Sequence, residues 1–102
     1  MRRGTTPTIT FNLPFDVSTV KNVEVYFAQN DSLILEKAMA DCVLSGTTLA
    51  VTLSQAETLL LDDEEKLQVQ ARFVFTDDSV DATDIIKGKV KEILKEGEID
   101  VD

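Results

Sequence analysis

The sequence of 102 residues has no histidine, no tryptophan, one cysteine, two prolines and four glycines. The absence of histidine excludes Ser-His-Asp and Cys-His catalytic sites and imidazole metal ligands. A lone thiol excludes thiolate zinc clusters, C-x-x-C redox motifs and an internal disulfide. No apolar run approaches the roughly 20 residues needed to span a bilayer. The sequence therefore predicts no membrane segment, no cofactor and none of the common catalytic sites.

Charge is biased toward one sign, since ten Lys and Arg stand against nineteen Asp and Glu, for a formal net charge of -9. An acidic molecule repels phosphate backbones and anionic lipid headgroups, so we expect neither a nucleic-acid partner nor a membrane partner. Met1, Arg2 and Arg3 imitate the basic start of a secretory signal, but Gly4 to Pro7 follow where an apolar run is required. We expect synthesis in the cytoplasm without a signal peptide.

Apolar and polar residues alternate along most of the chain, which is the period of half-buried strands. Within Thr8–Leu13, for example, Ile9, Phe11 and Leu13 fall on one face. Turn residues separate such segments, among them Gly46, which readily takes a positive φ. The alternation predicts strands at Thr8–Leu13, Val20–Ala28, Leu33–Lys37, Asp41–Leu44, Thr48–Leu53 and Lys66–Thr76.

The period changes after the fifth of these strands. Ser54 and Glu57 fit a capping box, in which each side chain accepts a hydrogen bond from the other residue's backbone N–H, and they predict one or two helical turns within 54–61. Many short strands with one short helical corner are typical of a β-sandwich. We therefore predict an all-β fold, a single antiparallel, immunoglobulin-like β-sandwich of six to eight strands over residues 1–102. Residues 97–102 are expected to form a tail or arm.

The segment Asp81–Gly97 fits two templates. As a strand, it points Ile86, Gly88 and Val90 inward. As a helix, it places four apolar residues in one stripe: Ile86, Val90, Ile93 and Leu94. Both alternatives stay open. The β-branched residues, together with the cost of about 1 kcal/mol for glycine in a helix interior, favour a strand to about Lys91.

Four aspartates within eight residues offer carboxylates to a hard cation such as calcium: Asp77, Asp78, Asp81 and Asp84. An EF-hand is excluded, because Ser79 and Ala82 stand at its third and sixth positions, where that loop has an oxygen ligand and a glycine. The simpler interpretation, which we favour, is that these aspartates stabilise turns and stay solvated. They are the basis of an alternative function, a cation- or carbohydrate-binding acidic β-sandwich. No tryptophan and only one tyrosine are present to shape a sugar cleft.

Two further patterns concern interactions. Lys87, Lys89 and Lys91 would share one face of the last strand, either to dock an acidic partner or, as we favour, to protect a sheet edge from pairing. Ile99 and Val101 alternate with acidic residues, so residues 98–102 could add as a strand to an exposed edge of this chain or of a neighbour. A frayed end is the simpler interpretation of this segment. The single cysteine, Cys42, is expected to be a small buried apolar residue without a reactive role.

Five short segments of the sequence stand out: Arg3–Thr8 leading into Phe11, Leu13–Asp16, Asp41-Cys42, Leu53–Leu59 and Val69–Arg72. Together they resemble segments of a family of small uncharacterised proteins encoded by phages and prophages of gut bacteria, and the likeness runs from Arg2 to about Gly97. The resemblance implies an all-β fold of the kind used in phage tails and baseplates. It also implies synthesis in a bacterial cytoplasm and a setting among virion proteins, but it carries over no catalytic residue. The family pattern has glycine where Asp78 stands.

These observations together favour a non-enzymatic structural or interaction module. We expect it to be a phage or prophage virion component of the tail or baseplate type that assembles through β-sheet edges. Its partners would be other copies of itself, as a homo-oligomer, or other phage structural proteins.

Overall fold

Eight strands, one short α-helix and two 3₁₀ turns make up the computed structural model, which describes residues 1–102. The 3₁₀ turns are Val17–Thr19 and Met39–Asp41. The strands and the helix are β1 (Thr8–Asn12), β2 (Val20–Gln29), β3 (Ser32–Ala38), β4 (Cys42–Ser45), β5 (Thr48–Thr52), α1 (Gln55–Leu59), β6 (Leu67–Phe75), β7 (Val80–Ala82) and β8 (Ile86–Gly88).

The strands form two antiparallel sheets that pack face to face. The smaller sheet has the order β1-β5-β4, and the larger has the order β3-β2-β6, with β7 and β8 both paired to β6 at different points along it. These orders correspond to strands B-E-D and C′-C-F-G of an immunoglobulin-type sandwich with no strand in the A position beside β1. The prediction of an antiparallel β-sandwich with one short helix is confirmed.

The core lies between the sheets because the predicted alternation turns one side of each strand inward. Fifteen buried apolar residues form one cluster, to which both sheets contribute. Phe27 and Phe73, on neighbouring strands of the larger sheet, face Leu49 and Val51 of the smaller one, and all four are almost fully buried. Phe15 closes one end of the core, with its ring edge-on to that of Phe73 at a centroid distance of 5.1 Å.

Two tight hairpins set the strand registers. Asn30 and Asp31 connect β2 to β3 and both have positive φ, of 51° and 60°, which is the pattern of a type I′ turn. Between β4 and β5 only Gly46 has a positive φ, of 56°, as in a type II′ turn. These turns twist with the strands that they join, so each hairpin closes with a two-residue loop.

The helix α1 forms where the capping box predicts it. The Ser54 side chain accepts from the Glu57 backbone N–H at 3.1 Å, and the Glu57 carboxylate accepts from the Ser54 backbone N–H at 2.8 Å. The helix ends at Leu59, two residues before Leu61 enters the core. No helix in the structure has the length and apolar character needed to cross a membrane.

The segment after Asp81 is extended, so the helical alternative is wrong. It pairs with β6 in two short pieces, β7 and β8, separated by an irregular stretch in which the Thr83 N–H donates to Ala71 O at 2.9 Å. The strand ends at Gly88, earlier than the predicted Lys91, although Val90 is still buried in the core. Beyond it, Lys91 forms one parallel bridge with Arg2.

Candidate interaction surface

The smaller sheet carries no charged residue. Its three strands read TITFN, CVLS and TLAVT, in a chain of which 28% is charged. The outward positions of β1 are Thr8, Thr10 and Asn12, and Thr52 next to them shares a hydroxyl hydrogen bond of 2.7 Å with Thr8. Depletion of charge is typical of the centre of protein interfaces. This sheet therefore differs sharply from the acidic remainder of the surface.

The outer edge of β1 presents backbone groups without partners. The Leu13 N–H donates to Thr47 O, and the Leu53 N–H donates to Pro7 O, so the odd-numbered positions of β1 exchange hydrogen bonds with β5. In an antiparallel ladder the alternate residues point their N–H and C=O the other way. The backbone groups of Thr8, Thr10 and Asn12 therefore point away from the sheet, and they make no hydrogen bond in the protein. We call these three residues the open edge.

The residues before β1 leave the open edge uncovered because they cross to the other sheet. Met1 to Pro7, the N-terminal arm, run beside the segment that follows β8. There the Arg3 N–H donates to Lys91 O at 3.0 Å, and the Lys91 N–H donates to Met1 O at 2.8 Å. Gly4, with φ of 71°, makes the turn where a Cβ would stand 3.1 Å from the Ile93 side chain.

Arg3 fixes the arm in this position. Its guanidinium donates to Leu61 O at 2.7 Å and Leu59 O at 2.9 Å, and it forms an ion pair with Glu96. The hydrogen bond to Glu96 raises the pKa of Arg3 above its ordinary value, and the same bond lowers the pKa of Glu96. One side chain thus connects the arm, the end of α1 and the C-terminal region.

The other long sheet edge, β3, has an inward-pointing charge. Lys37 lies opposite Val25, on the core side of the sheet, and its Nζ lies 2.9 Å and 2.8 Å from the two carboxylate oxygens of Glu57. Inward-pointing charges and bulges protect edge strands from pairing, and a register shift follows Phe27 on the neighbouring β2. The open edge of β1 has neither kind of protection.

The predicted stripe of three lysines on one face of the last strand is interrupted, because β8 ends at Gly88 and only Lys87 lies within it. Lys87 is opposite Gln68 on the exposed face of β6, and all three lysines are exposed. None of Lys87, Lys89 and Lys91 is in an ion pair. The N-terminal ammonium donates to Lys89 O at 3.3 Å, so the arm occupies the backbone edge beside the last two lysines. The paired arm therefore covers the backbone edge at Lys89 and Lys91.

The four aspartates are divided between two places. Asp77 accepts from the Ser79 backbone N–H at 3.0 Å, and its hydrogen bonds to Ser79 lower the pKa of its carboxyl group. Asp78 is paired with Lys21. Asp81 and Asp84 line an open groove of about 290 Å³ with Asn12 and Phe15. No three acidic or sulfur ligands come together to hold a metal ion.

The C-terminal segment, residues 98–102, is extended and held at one point. The Ile99 N–H donates to Gln55 Oε1 at 2.8 Å, and Gln55 Nε2 donates to Ile99 O at 3.1 Å. Ile99 is 74% exposed and Val101 is 82% exposed. Two β-branched side chains at alternate positions are thus left without an apolar contact surface.

The exposed face of the larger sheet has only shallow grooves. One of about 170 Å³ is lined by Tyr26, Gln70 and Ile85 among others. The Tyr26 hydroxyl donates to Glu24 at 2.7 Å; burial, and then this bond, raise the pKa of Tyr26. Cys42 is half-buried on β4, and burial followed by the nearby Asp41 raises the pKa of its thiol. This cysteine lacks the lowered pKa of a reactive thiol.

Sequence reasoning did not single out the open edge or the ion pair of Lys37 with Glu57. A signal for the edge is present, because residues 4–15 and 42–56 contain no charged residue and supply β1, β4 and β5. For the ion pair no sequence signal exists, since Lys37 and Glu57 meet only when β3 packs beside α1.

A scan against protein-family models finds no match for the chain, and a search of curated proteins finds none either.

Proposed function

We propose that the protein is a non-enzymatic interaction module that assembles with other copies of itself by strand addition at the open edge of β1. The observation that supports it most is the set of outward backbone groups on Thr8, Thr10 and Asn12. An extended segment beside β1 would satisfy all three N–H and all three C=O groups. It would also complete the sheet at the position that strand A holds in an immunoglobulin-type sandwich.

The surroundings of the open edge favour this kind of partner. The strand contains two threonines, isoleucine and phenylalanine, which have high β-propensity, and no proline interrupts it. Ile9 is only half-buried at the margin of the core, so an added strand would cover apolar surface as well as backbone. Natural sandwiches protect such an edge when it must stay unpaired.

The resemblance to phage-encoded proteins suggests the setting in which this assembly occurs. We propose a virion component of the tail or baseplate type, synthesised in a bacterial cytoplasm and incorporated into the particle. The presence of the protein in purified particles, measured by mass spectrometry, tests this part of the proposal. Its absence from particles of a phage or prophage that expresses it would contradict the setting.

The substitution Thr10→Pro tests the edge directly. The Thr10 N–H points away from β5, so proline removes a group that only an added strand would use, and edge strands tolerate proline there. We expect light scattering at micromolar concentration to show a dimer or larger species for the wild type and a monomer of 11.3 kDa for Thr10→Pro.

Thr10→Val is the matched control, because it keeps the N–H and the branched side chain. Thermal unfolding of both variants shows whether each one folds. A monomeric wild type, or assembly equally strong in Thr10→Pro and Thr10→Val, would overturn the proposal.

A further inference from the structure

The open edge raises the question of which segment pairs with it. We propose that residues 98–102 of a second copy form the added strand, antiparallel to β1. This inference rests on the proposed function, since it names the partner of the same edge.

The side-chain pattern of the segment fits the two sides of β1. In the register that places Asp100 opposite Thr10, Val101 lies beside Ile9 and Ile99 beside Phe11, on the core side of the sheet. Partners that lie opposite each other in a ladder share a face, so the acidic residues fall on the solvent side, next to threonine and asparagine. The segment and β1 each have five residues. Strand addition would bury the two exposed side chains.

The acidic side of the segment is tolerated at this edge. Glu98, Asp100 and Asp102 place three carboxylates along one side of the added strand, and directly opposed like charges are destabilising. The strand β3 contains Glu36 and β7 contains Asp81, whereas β1 contains no charged residue. The four-residue strand β4 is also uncharged but is shorter and follows directly after Asp41. The open edge is therefore a five-residue edge at which the carboxylates of residues 98–102 face no like charge on the neighbouring strand.

The geometry favours a second copy over the same chain. Gln55 holds the backbone of Ile99 just after the end of β5, near the start of β1. A segment that continued along β1 from this point would run parallel to β1. The proposed register is antiparallel and places Ile99 beside Phe11, toward the other end of β1, so the same chain cannot adopt it while Gln55 holds Ile99. A neighbour can supply the whole segment, because only the side chain of Gln55 holds its backbone.

A mixing experiment tests donor and acceptor separately. Thr10→Pro has an intact segment and a blocked edge, while a chain lacking residues 98–102 has an intact edge and no segment. Each variant alone should be a monomer by light scattering. An equimolar mixture should give a 1:1 pair with a mass slightly below twice the 11.3 kDa of the full chain. Thr10→Val mixed with the same truncated chain serves as the control, in which the open edge of β1 is unblocked in both chains.

A second measurement does not depend on Thr10→Pro being well folded. A synthetic peptide of residues 97–102, added to the ¹⁵N-labelled truncated chain, should shift the amide resonances of Thr8, Thr10 and Asn12. A peptide of the same charge with serine in place of Ile99 and Val101 should not shift them, because no register of it offers apolar side chains to Ile9 and Phe11. Because both partners are acidic, binding should strengthen with salt.

The outcomes separate this inference from the proposed function. If the truncated chain assembles as strongly as the wild type while Thr10→Pro does not, the edge is used but residues 98–102 are not its partner. This inference is then overturned and the proposed function stands. Monomers in the mixture together with an unshifted spectrum also overturn it. Assembly that Thr10→Pro leaves unchanged overturns both.

Discussion

The ion pair between Lys37 and Glu57 should stabilise the fold through a charge that faces inward from an edge strand. The perturbation is a pair of conservative substitutions, Lys37→Met and Glu57→Gln. Methionine keeps the length of the lysine side chain without its charge, and glutamine keeps an oxygen that can accept from the Ser54 backbone N–H in the capping box. The two variants therefore remove the ion pair while leaving the helix cap in place.

The expected magnitude follows from burial and distance. The Lys37 side chain is 12% exposed and that of Glu57 is 26% exposed, with the ammonium 2.8 Å from one carboxylate oxygen. Two charges about 4 Å apart attract by about 4 kcal/mol at an effective dielectric constant of about 20, and desolvation offsets much of this. We expect a coupling energy of about 1.5 kcal/mol.

Glu57→Gln should lose the most stability, about 2 kcal/mol, because it leaves a buried ammonium without an anion. In a domain of this size that corresponds to a fall in Tm of roughly 10 °C. Lys37→Met should lose about 1 kcal/mol, since the Glu57 carboxylate keeps its bond to Ser54 and some contact with water. Equilibrium unfolding in urea for the wild type, both single variants and the double variant gives the coupling energy as a double-mutant cycle.

The direction of the pKa shift of Glu57 predicts how the coupling energy depends on pH. Burial would raise the pKa of Glu57, but the hydrogen bonds from Lys37 and Ser54 outweigh it and lower the pKa below its ordinary value. A lowered folded-state pKa contributes stability above the unfolded value of about 4.3, which is lost as the pH falls through the folded value. The coupling energy should therefore be constant from pH 7 to about pH 5 and disappear in stronger acid.

The exposed pair of Lys21 and Asp78 is the matched control. An exposed pair typically contributes less than about 1 kcal/mol, so its cycle should give a much smaller coupling energy. The reasoning would be refuted if the cycle for Lys37 and Glu57 gave no more than the control, or if its coupling energy persisted unchanged at a pH well below 4.3.

Three further predictions concern other positions. Asp78→Gly should raise the free energy of unfolding by about 0.5 kcal/mol, because Asp78 has φ of 70°, a conformation that glycine adopts without strain. A lower free energy of unfolding than that of the wild type, measured in urea, would contradict this. Cys42 should react with a disulfide reagent at neutral pH more slowly than free cysteine, because burial raises its pKa; an equal rate would count against it. Calcium should leave the Tm unchanged, because the aspartates of 77–84 do not converge, whereas a clear rise in Tm would support the cation-binding alternative.

Much of the fold could be predicted because it depends on local patterns. Period-two alternation located Val23, Val25 and Phe27 on the buried side of β2, and the reciprocal bonds of Ser54 and Glu57 fixed the start of α1. The sequence was less informative after Asp81, where β8 stops at Gly88. There the arm replaces strand pairing, and alternation along one segment contains no information about a distant segment that lies beside it.

The candidate site was predicted only in part. Ile99 and Val101 stand out from the sequence alone, because their alternation with acids is local. The edge that we propose for them does not stand out from the sequence. Any strand of a sandwich can be central or lie at an edge, and the residues of β1 would be the same in either position. The lysine stripe was visible, but its occupied backbone edge beside Lys89 and Lys91 was not.

The sequence by itself determined the fold class: an acidic all-β chain without histidine, in which the alternation of apolar and polar residues sets the inward face of each strand. The tertiary structure alone decided which edges are covered. The arm crosses to Lys91 because Arg3 donates hydrogen bonds to the carbonyl groups of Leu59 and Leu61 there and forms an ion pair with Glu96. These partners lie far from Arg3 in sequence, so only packing brings them together. The same crossing leaves the backbone of Thr8, Thr10 and Asn12 open for another strand.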